Sequence, residues 1–159
     1  MFVWLVIHGK VNTFDLVQKR NPNMALSPAW CVLCRKDNES IDHLLIHCQV
    51  ANGLWAQLRR EAGVLGALPE KCKGLLMDEV IGFGSNKMAR VMWRAMVMSL
   101  MWSLWLERNA RIFSAKEMCP QDVFEKAKFL ASLWASTDKA FKGFPFSLIV
   151  NNWRDIIGR

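Results

Sequence analysis

Three cysteines and two histidines crowd into one short stretch: Cys31, Cys34, His43, His47 and Cys48. Two cysteines separated by two residues place their sulfurs on one tight turn, able to grip a tetrahedral ion from one side. A second ligand pair supplied by a helix would complete the site. His43 and Cys48, with four residues between them, fall within the spacing such pairs use. In an ideal α-helix, however, residues five apart point about 140° away from each other, whereas His43 and His47 share a face. Either Cys48 lies past the helix end and turns back, or His47 replaces it. The thiolate is the stronger ligand, and a new helix could start at Gln49, so the reading favours Cys48 and keeps His47 as the alternative. The plain alternative is a set of ordinary buried cysteines beside a surface histidine.

Four protein ligands leave no open position for water, so the chemistry expected is one structural Zn2+. Asp42 could orient the His43 imidazole or be an exposed helix carboxylate. Binding energies of ~10–16 kcal/mol for such sites exceed the stability of most small domains, so metal loss should unfold at least residues 24–60. Cys72 and Cys119 lie far from the cluster and read as free thiols.

The elements that must position these ligands read as helices. A short apolar helix covers residues 2–8. Thr13 can cap a second from Phe14 to Arg20, with Asp15 in its first turn. Asn21-Pro22-Asn23 and Ser27-Pro28 form a turn-rich loop. Ser40 opens a helix through Ile41–His47, and another runs from about Val50 to Ala62. Residues 63–73, including Cys72, read as an exposed loop. A short helix near Leu75–Ile81 ends at Gly82, with Gly84 following. The longest helix spans about 86–113 and is apolar nearly all round, which marks a buried hub. Pro120 suits the first turn of a last long helix, Gln121 to Phe141, ended by Gly143. The tail from Phe144 is amphipathic and short. The fold class is therefore all-α, a small helical domain with a Cys/His zinc knuckle near the N-terminus and one long central helix. The organisation expected is a zinc-binding domain over residues 1–115, with the knuckle at 30–48, followed by a helical extension over 116–159.

Apolar residues make up 52% of the 159, enough for a core, and eight Trp and nine Phe beside zero Tyr suit packed helices. The net charge of +7 makes nucleic acid or an anionic surface the natural partner class. The basic excess is spread along the chain, so no basic arm can be read from it. Binding zinc through three thiolates and a neutral imidazole would bring the total to about +6. Five cysteines with a C-x-x-C pair fit a reducing, intracellular compartment, nuclear or cytoplasmic. The apolar N-terminus lacks a basic leader and a cleavage site, so no signal peptide is expected. The uncharged run from Ala95 to Leu106 is too short to span a membrane. A soluble chain with no membrane partner follows.

Several of these residues together carry a family resemblance. The run from Phe2-Val3-Trp4 through Thr13, Cys31-x-x-Cys34, Glu39-Ser40, His43-Leu44-Leu45 and Cys48 resembles the zinc-binding domain of plant reverse transcriptases from non-LTR (LINE-type) retroelements. The likeness continues through His47-Cys48-x-x-Ala51-x-x-x-Trp55 and Met101-Trp102-x-x-Trp105-x-Glu107-Arg108-Asn109-x-Arg111-x-Phe113, and reaches Trp153. The resemblance implies zinc ligands at Cys31, Cys34, His43 and Cys48. It departs from the family in starting where the first helix should already be under way. Polymerase and endonuclease domains are missing, and a chain without tyrosine cannot carry the polymerase's tyrosine–aspartate–aspartate motif. A detached, retrotransposon-derived module or relic is expected.

Retroelement knuckles commonly grip unpaired bases with an aromatic and adjacent basic groups. Trp30, Arg35 and Lys36 have that arrangement, against the alternative that Trp30 covers the metal or core while the cations are solvated. Arg59 with Arg60, or Lys71 with Lys73, could extend a phosphate track. Glu107 and Arg111 form a favourable helix pair worth ~0.2–0.5 kcal/mol, and Arg108 and Asn109 read as anchors of the hub helix to a neighbour. The methionines at 88, 92, 96, 98 and 101 read as core filling. No phosphate loop, nucleophile elbow or carboxylate pairing is visible, so no enzyme is expected. The function expected is an accessory module binding single-stranded RNA or DNA, with a vestigial or protein-interaction domain as the alternative; oligomeric state is not legible.

Overall fold

Twenty-eight residues of nearly continuous helix former and apolar side chain, Lys87–Ser114, make one rod of ~42 Å, and the other elements are arranged around it. The structure, a computed structural model, describes residues 1–25, 30–77 and 86–157. In chain order these residues form α1 (Phe2–Ile7), α2 (Phe14–Arg20), a π-helical turn (His43–His47), α3 (Gln49–Ala62), α4 (Cys72–Met77), α5 (Lys87–Ser114) and α6 (Pro120–Ser136). A 3-10 turn (Lys139–Phe141), α7 (Phe146–Asn151) and α8 (Trp153–Ile157) complete them. No strand forms among the described residues; a lone bridge pairs Trp30 with Asn38. The fold is all-α.

Asn86 starts α5 by accepting a hydrogen bond from the Ala89 N–H at 3.0 Å. Buried residues then fall on more than one face: Met92, Met96, Leu100 and Leu104 on some turns, Trp93, Val97 and Met101 on others. After a short connection, α6 folds back along α5. Its Val123, Ala127, Ala131 and Ala135, each four residues from the next, bury a stripe of small side chains that lets the two helices approach closely. Phe2 of α1 packs on Trp102 and Trp105 of α5, with ring centroids 5.0 and 6.2 Å away. Ile149, Trp153 and Ile157 carry the tail back into the core, which runs from Val6 to Ile157.

Several elements depart from the sequence expectation. Helix α6 stops at Ser136, not at Phe141, because the Ser136 and Thr137 hydroxyls donate to the Leu133 and Trp134 carbonyls and Asp138 opens a separate turn by accepting from the Ala140 N–H. Cys72 is not in an exposed loop. It begins α4 and is buried, its N–H donating to Asp42 Oδ1 at 2.8 Å. Thr13 sits at the start of α2 but its hydroxyl turns to Val11 and Asp15; the Phe14 N–H is taken by Glu39 Oε1 at 3.0 Å. The Ser27-Pro28 turn, the expected helix end at Ile81, and Gly82 and Gly84 lie outside the described residues.

Candidate metal centre

The first two ligands sit on a tight knuckle. Cys31 N–H donates to the Asp37 carbonyl at 2.7 Å and Arg35 N–H to the Cys31 carbonyl at 2.8 Å, which curls Val32 and Leu33 over the sulfurs. Closing that curl takes Arg35 to a φ of 57°, a left-handed conformation costly for a side-chain-bearing residue. Ser40 caps the next segment, its hydroxyl accepting from the His43 N–H at 3.1 Å.

The spacing problem between His43 and Cys48 is solved by helix type. From His43 the chain widens into a π-turn, and the Cys48 N–H donates to the His43 carbonyl at 2.6 Å, a bond five residues long. That wider turn brings residue 48 back over residue 43, where an α-helix would have carried it to the side. Cys48 then adopts an extended backbone (φ −52°, ψ 134°) and α3 begins at Gln49. The break leaves the Leu45 carbonyl without a helical partner deep in the core, and the buried Trp55 indole N–H fills it at 2.7 Å. Trp55→Phe keeps the ring but strands that carbonyl. It should lower the unfolding free energy of the zinc-loaded protein by ~1–3 kcal/mol in denaturant titrations; an unchanged midpoint would show the bond to be dispensable.

Cys31, Cys34, His43 and Cys48 converge, with all four ligand atoms within 4.8 Å of one another. The Cys31 and Cys48 sulfurs are 3.8 Å apart, and Cys34 Sγ is 3.4 Å from His43 Nε2. Zinc bonds of about 2.3 Å to sulfur and 2.0 Å to nitrogen, arranged tetrahedrally, place sulfurs about 3.8 Å apart and nitrogen about 3.5 Å from sulfur. The donor set and its spacing fit a single structural zinc. His47 is not part of it: its Nε2 lies on the surface and donates to the Glu70 carbonyl at 2.8 Å. Nor does Asp42 orient His43, since its carboxylate holds the Cys72 N–H.

The local electrostatics suit metal uptake in part. The Cys48 thiol is lowered, first by the hydrogen bond from Cys31 and, against the effect of burial, by the Ala51 and Val50 N–H groups at the start of α3. Cys31 is pushed up by that same hydrogen bond and by burial, so in the metal-free chain it keeps the proton the pair shares. Burial also lowers His43, favouring the neutral imidazole a metal requires.

Two residues that the cysteine spacing could not reveal hold this knuckle to the hub. Glu39, inside the loop the ligands close, is completely buried and accepts two bonds from Arg108 of α5, at 2.6 Å from Nη2 and 3.2 Å from Nε. The Arg108 guanidinium lies over the Phe14 and Trp105 rings, 4.8 and 5.0 Å from their centroids. One turn on, Arg111 pairs with Glu107 at 2.8 Å and donates to the Val32 and Leu33 carbonyls of the knuckle at 3.3 Å each. The Glu107–Arg111 pair is thus no surface pair; it is almost wholly buried, and Glu107 also accepts the Met118 N–H. The expected anchoring role of Arg108 is met, with Asn109 accepting from Arg108 Nη1 at 3.2 Å.

Of the candidate nucleic-acid contacts, Trp30 is 46% exposed. Arg35 is exposed and pairs with Glu117 at 2.8 Å; Lys36 is exposed and donates to Gln49 at 3.1 Å. Trp30, Arg35, Arg111, Lys116 and Glu117 share one surface groove.

Comparison with known proteins agrees with this site. Residues 1–55 match the family described as zinc-binding in reverse transcriptase, a stretch that contains all four clustered residues and ends at Trp55. No curated protein and no solved structure matches the chain. Among the described residues, no helix is long and apolar enough to cross a membrane.

Proposed function

We propose that this chain is a zinc-stabilised accessory module, derived from the reverse transcriptase of a plant LINE-type retroelement, that binds single-stranded RNA or DNA and has no chemistry of its own. The observation that carries the reading is the knuckle's outer face. A large exposed indole, Trp30, shares a surface groove with Arg35, and Lys36 is exposed on the same turn, which a closed metal site would hold rigid. An exposed aromatic next to cations is how unpaired bases are stacked and their phosphates neutralised.

The non-catalytic part of the reading rests on how the reactive groups are spent. His43 belongs to the metal cluster, His8 contacts the Trp4 carbonyl and His47 the Glu70 carbonyl. The two buried carboxylates among the described residues, Glu39 and Glu107, are each neutralised by an arginine. A second reading, zinc serving the fold alone in a vestigial or protein-interaction domain, is favoured by the engagement of Arg35 with Glu117.

A gel-shift titration separates the two. Zinc-loaded protein should retard a single-stranded RNA at ~50 mM salt, weaken steeply as salt rises, and lose affinity on Trp30→Ala without losing zinc. Absence of any shift by folded, metal-loaded protein would leave only the second reading.

A further inference from the structure

The hairpin of α5 and α6 brings the start of one helix beside the turn that follows the other, and cations collect there. Lys87, Arg90 and Arg94 stand at helical spacings of three and four, on one side of α5, and Lys139 faces them from the 3-10 turn. Together with Asp138 they line a groove of about 480 Å³. All four cations are exposed, and none makes an ion pair or hydrogen bond with a described residue. Asp138, the one carboxylate among the described residues of the groove, accepts the Ala140 N–H with Oδ1 at 2.8 Å. Arg35, Arg108, Arg111, Lys128 and Arg154 have acidic partners, whereas here four cations without one gather in a single groove.

We infer that this groove is a second, zinc-independent contact for the sugar–phosphate backbone of a nucleic acid, separate from the knuckle. The inference rests on the nucleic-acid reading above and extends it to a site that no metal-ligand pattern points to. Lys87 to Arg94 spans ~10 Å of helix axis, the rise over which one strand presents about three phosphates. Arg94 and Arg111, which lines the knuckle groove, are seventeen residues apart on the same helix, or ~25 Å. One strand long enough to bridge that distance would be held at both ends, and the second contact would then form at high effective concentration. Among the described residues the groove offers no aromatic side chain, so it should follow phosphates without reading bases.

The test compares full-length zinc-loaded proteins on a single-stranded RNA of some thirty nucleotides and on one of six. The triple variant Lys87→Gln, Arg90→Gln, Arg94→Gln is set against a control with the same charge loss at exposed lysines elsewhere, Lys19→Gln, Lys126→Gln, Lys142→Gln. Both should keep zinc and thermal midpoint. At ~0.7 per phosphate contact, the groove variant should flatten the slope of log affinity against log salt by about 2. The native chain would then lose about 20-fold more affinity than the variant between 50 and 200 mM salt. That effect should appear on the long RNA and be far smaller on the short one. Equal losses in groove and control variants would overturn the inference in favour of diffuse charge. A groove variant that binds like the native chain while Trp30→Ala fails would overturn it and leave the knuckle reading intact. Failure of the native chain to bind any RNA would remove both.

Discussion

Cys48→Ser protein, and native protein held in excess strong chelator, should bind no stoichiometric zinc and lose the helical signal of the N-terminal half. Three ligands remain in the variant, but the missing one is the residue for which the chain forms its π-turn and breaks before α3. Apparent binding energies of ~10–16 kcal/mol for such sites are comparable to or larger than the whole stability of a domain this size. The affected region should reach beyond residues 24–60, because Glu39 lies within the metal loop and anchors α2 and α5. His47→Ala is the matched control: its imidazole only touches a surface carbonyl, so zinc content and thermal midpoint should stay at native values. Acid should act like chelator, since protons compete for the three thiolates and the imidazole, and zinc release should therefore follow falling pH. A native-like thermal midpoint and circular dichroism spectrum in chelator would defeat the assignment of a structural metal.

The second large effect belongs to Arg108. Arg108→Ala removes both hydrogen bonds to a carboxylate with no solvent exposure, leaving it only the Phe14 N–H. Breaking a buried pair from one side costs ~3–5 kcal/mol, chiefly because the stranded charge stays in the core. Arg108→Lys should recover little of this, since an ammonium cannot reproduce the two-pronged contact or lie flat between Phe14 and Trp105. Removing both charges, as Glu39→Leu with Arg108→Met, should cost less than Arg108→Ala alone. Denaturant unfolding of the four zinc-saturated proteins measures all of this. A single variant within ~1 kcal/mol of native would mean that water or a side-chain shift relieves the charge.

The metal cluster was legible in the sequence because ligand chemistry restricts the residue types and their separations. What resisted was geometry. An α-helical ruler makes His47 the better placed ligand, and only a change of helix pitch between His43 and Cys48 reverses that; pitch leaves no simple trace in composition. The long helix was visible from an apolar run without breakers; that the Asn86 side chain caps it is a finding of the structure. The end of α6 and the start of α4 were misjudged because they depend on hydroxyls and a carboxylate choosing backbone partners, a local competition that periodicity does not report. The sequence assigned Glu39 no contact and Arg111 only its helix pair with Glu107; their hold on the hub and the knuckle exists because residues some seventy to eighty positions apart meet. Asp138 and the cations around the α5–α6 hairpin were invisible for the same reason.

That separation has a consequence for how the molecule assembles. The sulfurs of Cys31 and Cys48 are seventeen residues apart along the chain, while Glu39 and Arg108 are sixty-nine apart. Ring-closure entropy rises by ~0.6 kcal/mol for each doubling, so the longer ring costs ~1.2 kcal/mol more to shut. A zinc ion at the cluster would close the smaller ring at the lower entropic cost and hold Glu39 inside it, so the docking of Arg108 is expected to depend on the metal.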